Sequence, residues 1–165
     1  MQNVSETSRE SGKTPQAGLL APFDVHVQSG PKAVRTALLE IINGLGPLKL
    51  DVEETSTLEL VLAEALNNVV EHAYTEPNAA GEIHISLRHR RDGLHVQICD
   101  WGNPMPDGVV PLGQLAALDG DVIDLPEGGF GWFLIRDLAK DVVYKRIGAK
   151  NQLRLRIAVA YRQGI

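Results

Sequence analysis

Residues Leu60–Tyr74 read LVLAEALNNVVEHAY. At about 100° per residue, Glu64, Asn67, Asn68, Glu71 and His72 share an arc of about 140°. Leu58, Leu62, Leu66, Val69 and Ala73 fall largely on the other side, which predicts an amphipathic helix with one core face. Asp51 with Glu54 three residues later resembles a capping box with Asp in the Ser/Thr slot, so the helix starts there. The turn Glu76-Pro77-Asn78 ends the pattern near Tyr74. A solvated face usually mixes charge signs to gain pairs four residues apart. From Val52 through Tyr74 there is no Lys or Arg, only Glu. Carboxylates beside amides suit a hard cation such as Mg²⁺, which takes oxygen ligands and few protein groups. Glu64 and Asn68 project side by side. One can orient or deprotonate a nucleophile while the other holds the metal.

Upstream, residues 1–20 are polar and without period, and read as a disordered tail ahead of one domain over 21–165. Phe23–Gln28 alternates as a half-buried strand. Pro31 suits a first helical position. Val34, Ala37, Leu38, Ile41, Ile42 and Leu45 recur at helical spacing, ended by Gly44 and Gly46. Downstream, Gly81–His89 and Leu94–Asp100 read as a hairpin turning at Arg91-Asp92-Gly93. Residues 101–129 hold many Gly and Pro and little periodicity, the pattern of a functional lid. Phe130–Lys140 reads as a helix, then Asp141–Ile147 and Asn151–Ala160 as a closing hairpin. The order β-α-α-β-β-lid-α-β-β predicts a two-layer α/β sandwich, with a mixed, mostly antiparallel sheet and helices on one face.

Two further stretches carry chemistry. Asp100-Trp101-Gly102-Asn103-Pro104 ends a strand. A carboxylate there can accept a hydrogen bond from an exocyclic amine such as that of adenine, and Gly102 lets a flat ring approach the backbone. Alone, Asp-x-Gly is equally a common turn. Glu127-Gly128-Gly129-Phe130-Gly131 opens a helix, so its backbone N–H groups and the helix dipole can cradle phosphate. It is neither a Walker A loop nor a G-x-G-x-x-G fingerprint. His26, His84, His89 and His95 lack ligand spacing and read as surface or pleat positions. His72 could line the site, though a structural hydrogen bond is the better reading. Strand alternation sets Cys99 opposite Asp100, as a buried inert thiol.

In order and spacing, E-x-x-x-N on a helix, D-x-G-x-P after a strand and G-G-x-G opening a helix resemble the N, G1 and G2 boxes of the GHKL ATPases, the Bergerat fold. Within that superfamily the chain is most similar to anti-sigma-factor serine/threonine kinases of the RsbW/SpoIIAB type, from about Phe23 to Ala160. The resemblance implies ATP/ADP and Mg²⁺ as cofactors. It implies that Asn68 coordinates Mg²⁺ on the phosphates and that Glu64 is the general base for a serine hydroxyl. It implies that Asp100 reads adenine, that Gly102 packs by the ring, and that Gly129, Phe130 and Gly131 close over the phosphates. Its partners would be a STAS-domain anti-anti-sigma protein and a sigma factor or other client, exchanged by partner switching. A homodimer is compatible with it. The lid, Met105–Glu127, does not align well, and Ala149-Lys150-Asn151 stands where some relatives carry Gly-Thr. Trp132 occupies a place where a smaller aliphatic residue is common.

Composition bounds this reading. The chain has 165 residues, a formal charge of −5 and one cysteine. An acidic chain argues against general nucleic-acid or anionic-membrane binding. One cysteine excludes an internal disulfide framework. No apolar run is long enough for a membrane span and no secretory signal is read, so a cytoplasmic protein is expected. Two alternatives remain. One is a nucleotide-gated module that only sequesters a partner. The other is a sensor histidine kinase catalytic domain, disfavoured because nothing upstream of Phe23 offers a phosphoaccepting helix.

Overall fold

The computed structural model describes residues 18–75, 81–111 and 129–162. Its strands are β1 (Phe23–Gln28), β2 (Glu82–Arg90), β3 (Gly93–Asp100), β4 (Ala139–Ile147) and β5 (Lys150–Ile157). Its α-helices are α1 (Ala33–Leu45), α2 (Val52–Asn68) and α3 (Gly129–Leu138). The strands form one sheet in the order β1-β2-β3-β5-β4. Expected as mixed, the sheet is antiparallel at every pairing among the described strands. No described helix is long and apolar enough to cross a membrane.

Strand alternation builds the core. Val25 and Val27, then Ile83, Ile85 and Leu87, then Leu94, Val96 and Ile98, then Leu153, Leu155 and Ile157 are all buried on the helix side. Leu58, Leu62 and Leu66 of α2 meet them, as the helical period required. Each such side chain stabilises the fold by about 1.5–3 kcal/mol relative to exposure. Outward positions such as Arg88 and Arg154 stay exposed.

The capping box forms: Glu54 N–H donates to Asp51 Oδ1 (2.8 Å) and Asp51 N–H donates to Glu54 Oε2 (2.9 Å). Several boundaries differ from expectation. Pro31 precedes the N-cap Lys32 instead of opening α1. Gly44 lies inside α1 and does not end it; a Cβ there would meet the Phe23 ring at 2.6 Å, so the glycine serves close packing on β1. The chain leaves α1 through a 3₁₀ turn, Gly46–Leu48. The long helix stops being α-helical at Asn68, and Val69–Ala73 form a π-turn. β4 starts directly after α3, and a bulge between Lys140 and Val143 places Asp141 at φ 54°. Leu20 already packs against the core and its N–H donates to His89 Nδ1 (3.3 Å), so ordered chain begins inside the stretch expected as tail. Most of that tail and of the expected lid lie outside the described residues.

Candidate functional site

A cavity of about 390 Å³ opens between the end of α2, the loop after β3, α3 and the β4–β5 hairpin. Asn68, Val69, His72 and Ala73 form one wall, and Asp100, Asn151, Tyr144 and Trp132 others. Met105, Pro106 and Pro111 rim it at the start of the lid segment. Two residues singled out in sequence, 32 positions apart, thus face one space: Asn68 and Asp100. His72 also lines it, exposed and 4.0 Å from Glu71, so it belongs to the wall and not to a structural hydrogen bond.

The π-turn sets this geometry. A π-turn inside a helix is a frequent mark of a functional site. Here it presents the Ala73 carbonyl to Asn103 N–H (2.7 Å). Tyr74 Oη accepts from Trp101 N–H (3.0 Å) and donates to the Glu82 carbonyl (2.9 Å). Gly102 is needed by this junction, since a Cβ would stand 2.2 Å from the Ala73 carbonyl oxygen. Gly102 does not itself line the cavity; it packs against the backbone of Ala73, which does.

Asp100 is buried, with 5% exposure. Its Oδ1 accepts from Asn151 Nδ2 (2.7 Å) and from Gly102 N–H (2.9 Å). Oδ2 has no hydrogen-bond partner among the described residues. Burial pushes the carboxyl above its usual range, opposed by Asn151, the Gly102 N–H and the positive charge of Arg146. Asn151 is the hub. Its Oδ1 accepts from Tyr144 Oη (2.6 Å) and Arg146 Nη1 (2.6 Å), and its Nδ2 also donates to the Asn103 carbonyl (2.9 Å). Tyr144 Oη in turn accepts from Met105 N–H (3.0 Å). Sequence reasoning found Asp100 but not this support, because Asn151 and Tyr144 sit in an unremarkable strand pair. The only signal was that Ala149-Lys150-Asn151 departs from the Gly-Thr pair expected on the final hairpin.

Asn68 holds a buried amide Nδ2 with no partner among the described residues. A buried orphan of this kind is rare and marks an unmade contact. Amide N and O are assigned from their partners, so this end can meet either a phosphate oxygen or a cation. No cluster of three or more His, Cys, Asp or Glu able to hold a metal occurs among the described residues. A cation carried mainly by phosphates fits that donor set, since Mg²⁺ needs only one or two protein groups.

Glu64 lies one turn before Asn68, half-buried, with no hydrogen-bond partner among the described residues. A Cβ on Gly131 would stand 2.5 Å from Glu64 Oε2, so the first turn of α3 packs on that carboxylate. Gly129 opens α3. Phe130 is 56% exposed and stacks on Phe133 (6.1 Å between centroids), away from the cavity lining. Arg136 of α3 donates to the carbonyls of Val110 (2.9 Å) and Pro111 (2.7 Å), which anchors the start of the lid segment. Among the strand histidines, His89 departs from expectation: it is buried, and burial holds its pKa below the usual value. Cys99 is buried on the outer side, as alternation requires.

The comparisons agree with this architecture. The family described as histidine kinase-like ATPase domain matches residues 27–157. The chain is 34% identical over 118 residues to the serine-protein kinase RsbW of Staphylococcus aureus strains MRSA252 and Newman, covering 70% of this chain and 72% of those proteins. A crystal structure of the RsbU and RsbW domains of a Mycobacterium tuberculosis protein superposes with a TM-score of 0.57 at 15% identity, over 88% of this chain and 35% of that one. That last likeness concerns the fold. The chain therefore belongs to the histidine kinase-like ATPase family and, within it, to the RsbW serine-protein kinases.

Proposed function

We propose that this chain uses ATP to phosphorylate a serine of a STAS-domain anti-anti-sigma protein, and that it holds a sigma factor or other client when that partner is phosphorylated. One observation carries the reading: Asn68, whose buried amide nitrogen has no partner among the described residues, and Asp100, hydrogen-bonded through Oδ1, line the same cavity. Asp100 Oδ2 accepts from the adenine amine. Asn68 stands at the phosphate end and would hold Mg²⁺, which supplies charge neutralisation on the phosphates when bound. Gly129 and Gly131 bring backbone close to those phosphates.

Phosphoryl transfer needs mostly positioning and charge stabilisation. The serine oxygen bonds to the γ-phosphorus as the bond to the β–γ bridging oxygen breaks. Glu64 takes the hydroxyl proton, and ADP leaves with the electron pair of the broken bond. A carboxylate without competing hydrogen bonds is free to accept that proton. The test follows the mass of a STAS protein encoded beside this chain during incubation with Mg²⁺-ATP. One added phosphoryl group is expected. With Asn68→Ala, calorimetric affinity for Mg²⁺-ATP should fall by at least about tenfold, the scale of one lost charge-assisted contact. Unchanged affinity would remove Asn68 from the site.

A further inference from the structure

The sheet face opposite the helices is covered by no element among the described residues. Antiparallel sheets often face water, so openness alone says nothing. The charge of this face says more. Arg88 and Arg90 of β2, His95 of β3, and Arg154 and Arg156 of β5 line one groove of about 410 Å³ together with Asp141. The register aligns them: Arg88 is opposite His95, His95 opposite Arg156, and Arg156 opposite Lys140. One row of basic residues thus crosses four strands. Like charges directly opposite each other destabilise a sheet. Acidic partners serve only part of the row. Arg156 donates to Asp141 (2.7 Å) and lies 3.8 Å from Asp92, which is 2.8 Å from His95. Arg88, Arg90 and Arg154 have no acidic partner within 4.0 Å among the described residues. Four of the ten arginines of a chain with charge −5 gather here.

We propose that this groove is a docking surface for an acidic segment of a partner protein, separate from the cavity on the helix side. Guanidinium forks match carboxylates with two parallel hydrogen bonds, and arginines without intramolecular partners are available for that pairing. A long polyanion is disfavoured by the net negative charge and by Asp92 and Asp141 at the groove. A second copy of the same face would set arginine against arginine. The surface does not depend on the kinase reading, because none of its residues lines the nucleotide cavity.

The test is fluorescence anisotropy of a labelled oligoglutamate peptide with the full chain, beside a labelled oligothymidylate. Two double variants are compared, R88E/R154E and, as the milder change that keeps the fold, R88Q/R154Q. We expect saturable, salt-sensitive oligoglutamate binding, weakened by at least about tenfold in both variants. Backbone amide shifts should concentrate at residues 86–90, 95–97 and 154–156, with ATP affinity unchanged. Absence of saturable binding, or equal binding by wild type and both variants, overturns the proposal. Tighter binding to oligothymidylate reassigns the face to nucleic acid and also overturns it. A concentration-dependent dimer that R88Q/R154Q dissolves does the same in favour of a second copy.

Discussion

A single amide, Asn151, holds the buried Asp100 carboxylate on which the proposed adenine contact rests. An ionised Asp100 accepts from an exocyclic amine more strongly than a neutral one, yet burial favours its neutral form. Its pKa is raised in the fold, so the associated stability is present below the usual value of 3.8 and is lost as pH rises through the folded-state value. Asn151 opposes the rise by donating to Oδ1. Asn151→Ala should therefore move the acid-side decline of ATP affinity to higher pH and leave a smaller difference where Asp100 is ionised in both proteins. Calorimetry across the acidic to neutral range checks this, and superimposable pH profiles would contradict it. Asp100 was legible in the sequence because a strand ending in Asp-x-Gly carries a local pattern. Asn151 was not, since its contacts reach back 51 residues and exist only once β5 pairs with β3.

The elements were legible where periodicity speaks and blurred where tertiary contacts decide. Strand alternation and the spacing of Leu58, Leu62 and Leu66 placed sheet and α2 correctly, because burial on one face forces those periods. The change from α-helix to π-turn at Val69 left no such trace, because what holds it is the loop after β3. Gly102 is the contact point of that junction. Gly102→Ala would drive a methyl into the Ala73 carbonyl, a backbone atom that cannot swing aside. The expected cost is about 1–3 kcal/mol, the usual scale of overpacking. Thermal melts should show it together with weaker ATP binding. A variant as stable and as tight as wild type would show that the junction gives way without cost.

At the scale of the whole molecule, the chain closes on the start of α2. Ala160 N–H donates to Glu54 Oε1 (2.7 Å) and Arg162 to Glu54 Oε2 (2.8 Å), beside the capping box. Burial alone would raise the Glu54 pKa, but the N–H groups of Ala160 and Asp51 and the charge of Arg162 hold it below its usual value of 4.5. That stability is present above 4.5 and is lost as pH falls through the folded-state value. Glu54→Gln should cost about 1 kcal/mol at neutral pH, the scale of a lost cap, and the gap should close in acid. Melting curves over pH check the sign, and a gap that widens in acid would reverse it. The central proposal places both the phosphate contact, Asn68, and the base, Glu64, on one helix, α2. Glu64→Gln tests it most directly, with ATP affinity and phosphoryl transfer to the STAS partner measured on one preparation. Nearly unchanged affinity is expected, with transfer slowed by about 10²–10⁴-fold, the range for a lost general base. Transfer at the wild-type rate would contradict it.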